Sequence, residues 1–299
     1  MKSKTRPSAA VPIELNAVIV AVIGGAPCLL TGDEKALPSG PFESGHRTLE
    51  QGLRAWAKAK GGQTLGYVEQ LYTFADRDRT KAAERSVSIG YLALVYIDGR
   101  AEDGWSPWYD HFPWEDYRDG PPPVIAQKIA PALTAWKNAA PDAATKRARD
   151  DRIGITFPAD RRLWNEELVL QRYELLWDAG LVAEAGSARD NIGTAMPQDH
   201  RRILATAMAR LRAKIKYHPV VFELLPRQFT LLQLQNTVEA LAGLRLHKQN
   251  FRRLVESQGL VEESGGATRG ASGRPAKLFS FRRKVLQERA ATGTKLPRS

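Results

Sequence analysis

Between Thr230 and Phe281 the chain runs through two short helical stretches and then a glycine-rich hairpin. This order limits the folds open to it more than any other feature. Thr230-Leu-Leu-Gln233 has capping-box spacing: the threonine hydroxyl accepts from the N3 amide and the glutamine reaches back to the cap. Leu231, Leu234, Val238 and Leu241 follow at helical intervals, and Gly243 ends the helix. A second helix is expected from His247 to Gln258, ended by Gly259, with Phe251, Leu254 and Val255 on one side. Gln249 and Arg253 lie opposite, and Arg252 lies on the flank. Leu260–Glu263 and Ala276–Phe281 read as two short strands around the basic, Gly-rich run Ser264 to Pro275.

That succession is the layout of a winged helix-turn-helix. Its second helix offers Arg and amide side chains, which bond guanine and adenine edges bidentately. Charge points the same way. Residues 201–299 hold 20 Lys/Arg against 6 Asp/Glu, while residues 1–200 hold 24 against 27, so the last third carries more than the whole net charge of +11. A basic block on a near-neutral body fits a polyanion-binding module, nucleic acid before acidic membrane. The candidate DNA contacts are Thr230, Lys248, Gln249, Asn250, Arg252 and Arg253. Arg274, Arg282 and Arg283 are expected mainly at phosphates. Ahead of this module, His200 to Tyr217 is an amphipathic helix with Ile203, Ala207, Leu211 and Ile215 inward. Arg201, Arg202, Arg210, Arg212, Lys214 and Lys216 fill much of the rest, either as a solvated basic face or as a connector or dimer helix that also meets phosphates.

The first 200 residues read differently. Pro12 to Leu30 is β-branched and broken by Gly24-Gly25-Ala26-Pro27, so strand, turn, strand is expected. The longest apolar run, Ala17 to Ile23, is too short for a membrane span. It reads as a core strand rather than a targeting segment, and the protein is expected to be cytoplasmic. His46 to Lys60 forms a helix, Tyr67–Phe74 and Ser86–Ile97 form strands, and together they make a small α/β unit. An aromatic stretch runs from Trp105 to Tyr117; its rings suit a core or an interface better than a base-stacking pocket. Pro121–Pro123 opens a helix through Trp136, a charged connector follows, and a further helix covers Trp164 to Ala179. Asp110-His111 and Glu115-Asp116 are taken as surface hydrogen-bonding groups. The single Cys28 and five unclustered histidines leave no metal site.

Gly40 to Gly61 resembles a Nudix box with its register kept and its carboxylates gone. Gly40, Arg54 and Gly61 match that pattern, whereas His46, Ala55, Lys58 and Ala59 stand at the glutamate positions. In Nudix enzymes those glutamates hold the divalent metals that polarise a diphosphate. Glu69-Gln-Leu-Tyr-Thr-Phe74, Asp76 to Arg79, Tyr217-His-Pro-Val220, Asn250-Phe-Arg-Arg253 and Gly273-Arg-Pro-Ala276 extend the likeness. Over about residues 12–97 and 196–283 the chain resembles the Nudix-related transcriptional regulators of NAD metabolism, closest to their alphaproteobacterial branch. The stretch from about Gly99 to Ala195 is longer than that family leads one to expect.

The resemblance implies an α+β protein: a Nudix-like α/β domain with a helical insertion, followed by a C-terminal winged helix-turn-helix domain. The boundaries are a disordered 1–10, an effector-binding domain 11–195 with its insertion at about 99–195, a connector helix and DNA-binding domain 196–285, and a basic tail 286–299. The implied function is a repressor of NAD biosynthesis genes that binds double-stranded operator DNA as a homodimer. The expected dimer contacts are the His200–Tyr217 helix and the aromatic stretch. NAD, ADP-ribose or ATP is the implied effector, met by Arg54, Tyr72, Arg77 and Arg79 and not hydrolysed; no cofactor is implied. The alternative is an active Nudix-type ADP-ribose hydrolase with an accessory DNA-binding domain. An RNA-binding protein is the third reading, opposed by the absence of a base-stacking sheet signature.

Overall fold

The computed structural model describes residues 11–43, 45–61, 65–75, 87–99, 103–186, 191–267 and 275–284. Strand β1 (Ile13–Ile23) turns at Gly24-Gly25, both at positive φ, into the antiparallel β2 (Ala26–Leu30). The short β3 (Ser39–Pro41) leads to helix α1 (Leu49–Gly61), followed by β4 (Val68–Phe74), β5 (Val87–Leu94) and β6 (Trp105–Pro107). The strands order as β4-β5-β1-β2-β6, with β3 also on β1; β1 and β5 are parallel and the other pairs antiparallel.

Side chains alternate across a strand, so β1 supplies two cores. Leu15, Ala17, Ile19 and Ala21 face Leu53 and Ala57 of α1. Val18 and Val20 face a second and larger core, which contains Ile203, Leu204, Met208 and Leu211. These four lie on α6 (His200–Lys214), and burying each stabilises the fold by about 1.5–3 kcal/mol. Gly90 on β5 lets α6 come close, since a Cβ there would stand 3.1 Å from Ile203 Cγ2.

The insertion is helical: α2 (Trp108–His111), a π-helical turn Ile125–Ile129 running into α3 (Ala130–Asn138), α4 (Ala143–Thr156) and α5 (Val169–Asp178). The charged connector is therefore a helix; Asp142 caps α4 by accepting from the Thr145 amide. Trp108, Phe112 and Trp114 are fully buried, which makes the aromatic stretch core. Two expectations are corrected here. Glu115 and His111 are not surface groups; both are buried. Nor are the aromatic stretch and α6 open to a second copy, because this chain covers them itself.

Most of the α6 cations, and Lys216 just past its end, are buried or ion-paired within the chain. Arg212 and Arg201 are buried, Arg202 pairs with Glu174 and Asp199, Lys214 with Glu69, and Lys216 with Glu166 and Glu167. Of the six, only Arg210 lies on the exposed surface without an ion pair among the described residues. The proposed phosphate-meeting face is therefore used within the chain.

At the centre, Glu115 accepts from Arg172 Nε at 2.5 Å and Nη2 at 2.9 Å, and from Arg212 Nη1 at 2.6 Å. Burial works to raise the Glu115 carboxyl, but the two guanidinium groups outweigh it and hold the group below the usual carboxylate range. Arg172 also lies 3.9 Å from the Trp164 ring centroid and donates to the Asn165 carbonyl. Among the described residues, no helix is long and apolar enough to cross a membrane.

Two predictions follow from these buried charges. Glu115→Ala leaves two unpaired buried cations and should destabilise the protein by about 3–5 kcal/mol in urea unfolding; a loss under about 1 kcal/mol would contradict the assignment. His200 is buried with Nδ1 accepting from the Leu37 amide, and burial pushes its pKa down to about 4 from 6.5. The unfolded chain then binds more protons below pH 6.5, so stability falls as pH drops towards 4, by about 2 kcal/mol at pH 5 from this residue. Urea midpoints of His200→Gln should show a correspondingly shallower pH dependence, and an unchanged slope would refute this.

Candidate nucleic-acid interface

Thr230 caps α7 (Leu231–Ala242) as the sequence indicates: its hydroxyl accepts from the Gln233 amide at 3.1 Å, and the Thr230 amide donates to Gln233 Oε1 at 2.8 Å. Gly243 closes the helix at φ +70, and a Cβ there would collide with the Glu115 carbonyl. The turn into α8 (Lys248–Ser257) is organised around Glu239, a residue the local pattern did not single out for a role. Its carboxylate accepts from Gln235 Nε2, Arg245 Nη1 and the Leu246 amide, at 2.8, 3.1 and 3.0 Å. Burial works to raise that carboxyl, and these donors hold it below its ordinary value. A chain of bonds around one buried carboxylate fixes the angle between the two helices.

α8 docks through Phe251 and Val255, both buried. Leu254, grouped with them by spacing, is instead 53% exposed, because the residues beneath α8 receive only the other two. Lys248, Gln249, Asn250, Arg252 and Arg253 are all exposed. Lys248, Arg252 and Glu256 stand at i, i+4 and i+8, and they line a groove of about 550 Å³ with Leu232 and Lys277. Arg253 Nη2 reaches Asn250 Oδ1 at 3.4 Å beside it. The wing is β7 (Val261–Ala267) against β8 (Lys277–Phe281), with Lys277 paired to Glu263 across it. Phe229 and Phe279 exchange backbone hydrogen bonds, which fastens β8 ahead of the capped helix.

Three of the expected DNA contacts change character. Thr230 is nearly buried and its hydroxyl serves as a helix cap. Arg282 donates from Nε to the Gly259 carbonyl at 2.8 Å, so it ties the end of α8 to the base of the wing. Arg283 lines a cleft against the sheet rather than the α8 face. Arg274 lies outside the described residues.

The expected effector contacts do not converge. Arg54 is held by Glu50 at 2.8 Å and donates to the Leu65 and Gly66 carbonyls at 2.7 and 3.3 Å, clamping the entry to β4. Tyr72 is exposed six residues beyond Gly66, ~20 Å at strand rise. Arg77 and Arg79 lie outside the described residues. A cavity of about 620 Å³ instead opens beside the box residue Ala57, lined by Ile19, Leu30, Thr31, Asp33, Ser39 and Asp103 among others. Neither Arg54 nor Tyr72 reaches it. His46 packs against Phe42, with its Nδ1 accepting from the Glu43 amide. Among the described residues no group of His, Cys, Asp and Glu is placed to hold a metal ion.

Four contacts seat α7 and the turn into α8 on the rest of the chain. Tyr109 Oη donates to the Ala240 carbonyl at 2.7 Å, Arg212 Nε to that of Leu241 at 2.9 Å, and the Tyr117 amide to that of Gly243 at 2.8 Å. Arg245 pairs with Asp119.

Residues 221–281 match the family model of the NrtR DNA-binding winged helix domain. An ADPR responsive transcriptional repressor, NtrR, of Acinetobacter baylyi is 41% identical over 83 residues; the match spans 28% of this chain and 33% of that protein. Over the whole fold, the chain is similar to Shewanella oneidensis NrtR complexed with a 27mer DNA (TM-score 0.56, 20% identity, 92% of this chain and 95% of that one). A MutT/nudix family protein of Enterococcus faecalis is similar at TM-score 0.52 and 16% identity, over 91% and 88% of the two chains. The fold is thus a Nudix-like domain, carrying a helical insertion, followed by a C-terminal winged helix.

Arg253→Ala should cost about 1–3 kcal/mol in DNA binding and relax preference at one or two base positions. Arg282→Ala should instead lower the melting temperature by loosening α8 from the wing. Fluorescence anisotropy on specific and scrambled duplexes, beside thermal melts, checks both. Equal losses on the two duplexes for Arg253→Ala would remove α8 as the reading helix.

Proposed function

We propose that this protein is a DNA-binding transcriptional repressor of NAD biosynthesis genes, and that its Nudix-like domain senses a nucleotide without hydrolysing it. The observation that carries this reading is α8: an exposed row of Lys, Gln, Asn and Arg on a helix whose angle is fixed from beneath, within the segment that matches the winged-helix family. Such a row suits a major groove, where amide and guanidinium groups distinguish bases.

ADP-ribose is the first effector to test, on the strength of the Acinetobacter relative's name, with NAD and ATP after it. The cavity beside Ala57 is the site we assign to it. At about 620 Å³ it falls in the range of small-molecule sites. Asp33 and Asp103 on its wall suit hydroxyl and amine donors better than phosphates. Lys58 at a metal-ligand position of the box opposes a divalent cation, and this supports binding without turnover. A single winged helix covers little duplex, so we infer a homodimer on an inverted repeat, with a contact other than α6 and the aromatic stretch. We infer from the pieces of resemblance that the protein belongs with the alphaproteobacterial regulators of this type.

Purified protein should bind a short inverted-repeat duplex from an NAD biosynthesis promoter, and ADP-ribose should change that affinity. Chromatography over hours with Mg²⁺ or Mn²⁺ should detect no cleavage of ADP-ribose or NAD. Turnover on the order of 1 per second would favour the hydrolase alternative. A monomer on DNA by light scattering would end the dimer assignment.

A further inference from the structure

A second cleft, of about 830 Å³, opens where the end of β5 meets the base of the wing. It contains neither the α8 row nor the cavity beside Ala57, so neither DNA reading nor the assigned effector site accounts for it. Its body wall is Leu94, Val95 and Tyr96, and its other wall comes from Phe222, Pro226 and Phe281. Tyr96 is 41% exposed, an unusual position for a ring beside a core strand. Phe222 and Phe281 stack at 4.3 Å with an interplanar angle of 18°.

Two cations line the same cleft. Arg227 and Arg283 are exposed, and neither has an ion pair among the described residues. Most of the α6 cations, by contrast, are matched to a carboxylate. Two carboxylates also face the cleft. Asp98 accepts the Tyr96 hydroxyl at 3.1 Å, and Glu223 leans on Gly66, where a Cβ would stand 2.6 Å from its Oε2.

We propose that this cleft is a second small-molecule site, taking a planar aromatic ring that bears a phosphate, of mononucleotide size. The exposed Tyr96 ring offers a face to a flat ring, the Phe222–Phe281 pair stacked on each other adds apolar surface, and a guanidinium group bonds a phosphate in a planar, bidentate manner. Asp98 and Glu223 accept from the hydroxyl or amine groups of the same molecule. The volume is that of a ligand pocket, and the meeting of two folded units is a common place for one. Because the walls belong to different parts of the chain, an occupant braces the base of the wing against the sheet.

Calorimetric titration of the full chain tests this, with AMP, adenosine and inorganic phosphate as separate arms. AMP should bind, and each half-molecule should bind more weakly. Arg227→Glu and Tyr96→Ala, both at exposed positions and checked by thermal melting, should each weaken AMP by roughly tenfold or more. Asp33→Asn, in the other cavity, should leave AMP binding unchanged. Failure of AMP to bind, wild-type affinity in both cleft variants, or loss only in Asp33→Asn would overturn the proposal. Titration of ADP-ribose onto Asp33→Asn and Arg227→Glu reports on the effector cavity separately, so failure there leaves the cleft result standing.

Discussion

One carboxylate, Glu115, holds two arginines from two different helices in a place water does not reach. Taking three charges out of water is expensive, and the arrangement is stable because each guanidinium nitrogen has a partner. Arg172 finds the Asn165 carbonyl and the Trp164 ring; Arg212 finds the carbonyls of Leu241, Glu166 and Glu115. The insertion, α5, α6 and the end of α7 are thereby joined at one point. The position of α7 relative to the sheet is set there, because Arg212 and its neighbour Tyr109 grip the last carbonyls of α7.

That joint also explains the fate of the positive charge. Among the described residues of the last third, the cations of α6 and those of α8 have opposite fates. Most α6 cations are neutralised by carboxylates of the insertion and the sheet, and they contribute to stability and geometry. The cations of α8 stay exposed, with Arg253 reaching only its neighbour Asn250. Glu239 repeats the central motif on a smaller scale, since one buried carboxylate collects the donors of the turn and so fixes how α8 is presented.

The winged-helix segment was legible residue by residue because its signals are local. A capping box, a glycine at positive φ and an apolar repeat act within a few residues, so Thr230, Gln233 and Gly243 take the positions their spacing indicated. Leu254 was misplaced for the complementary reason: helical spacing defines a side, but the breadth of contact depends on what lies beneath. The residues expected at an effector do not come together in the fold. Arg54 has the box's register yet is occupied by the carbonyls of Leu65 and Gly66, and Tyr72 lies on the strand that follows that clamp but not at the same site.

By itself the sequence determined the β1 turn into β2, the capped helix α7, and the second helix followed by a two-stranded hairpin. Each follows from spacing along the chain or from residue type alone. Only the tertiary structure decided which cations remain available, that the aromatic stretch and α6 are covered, and where the clefts open. The physical reason is separation. Glu115 meets partners 57 and 97 residues away, and no local periodicity specifies a charge pair over that distance. Such a pair forms only where packing excludes water, and packing is a property of the folded chain.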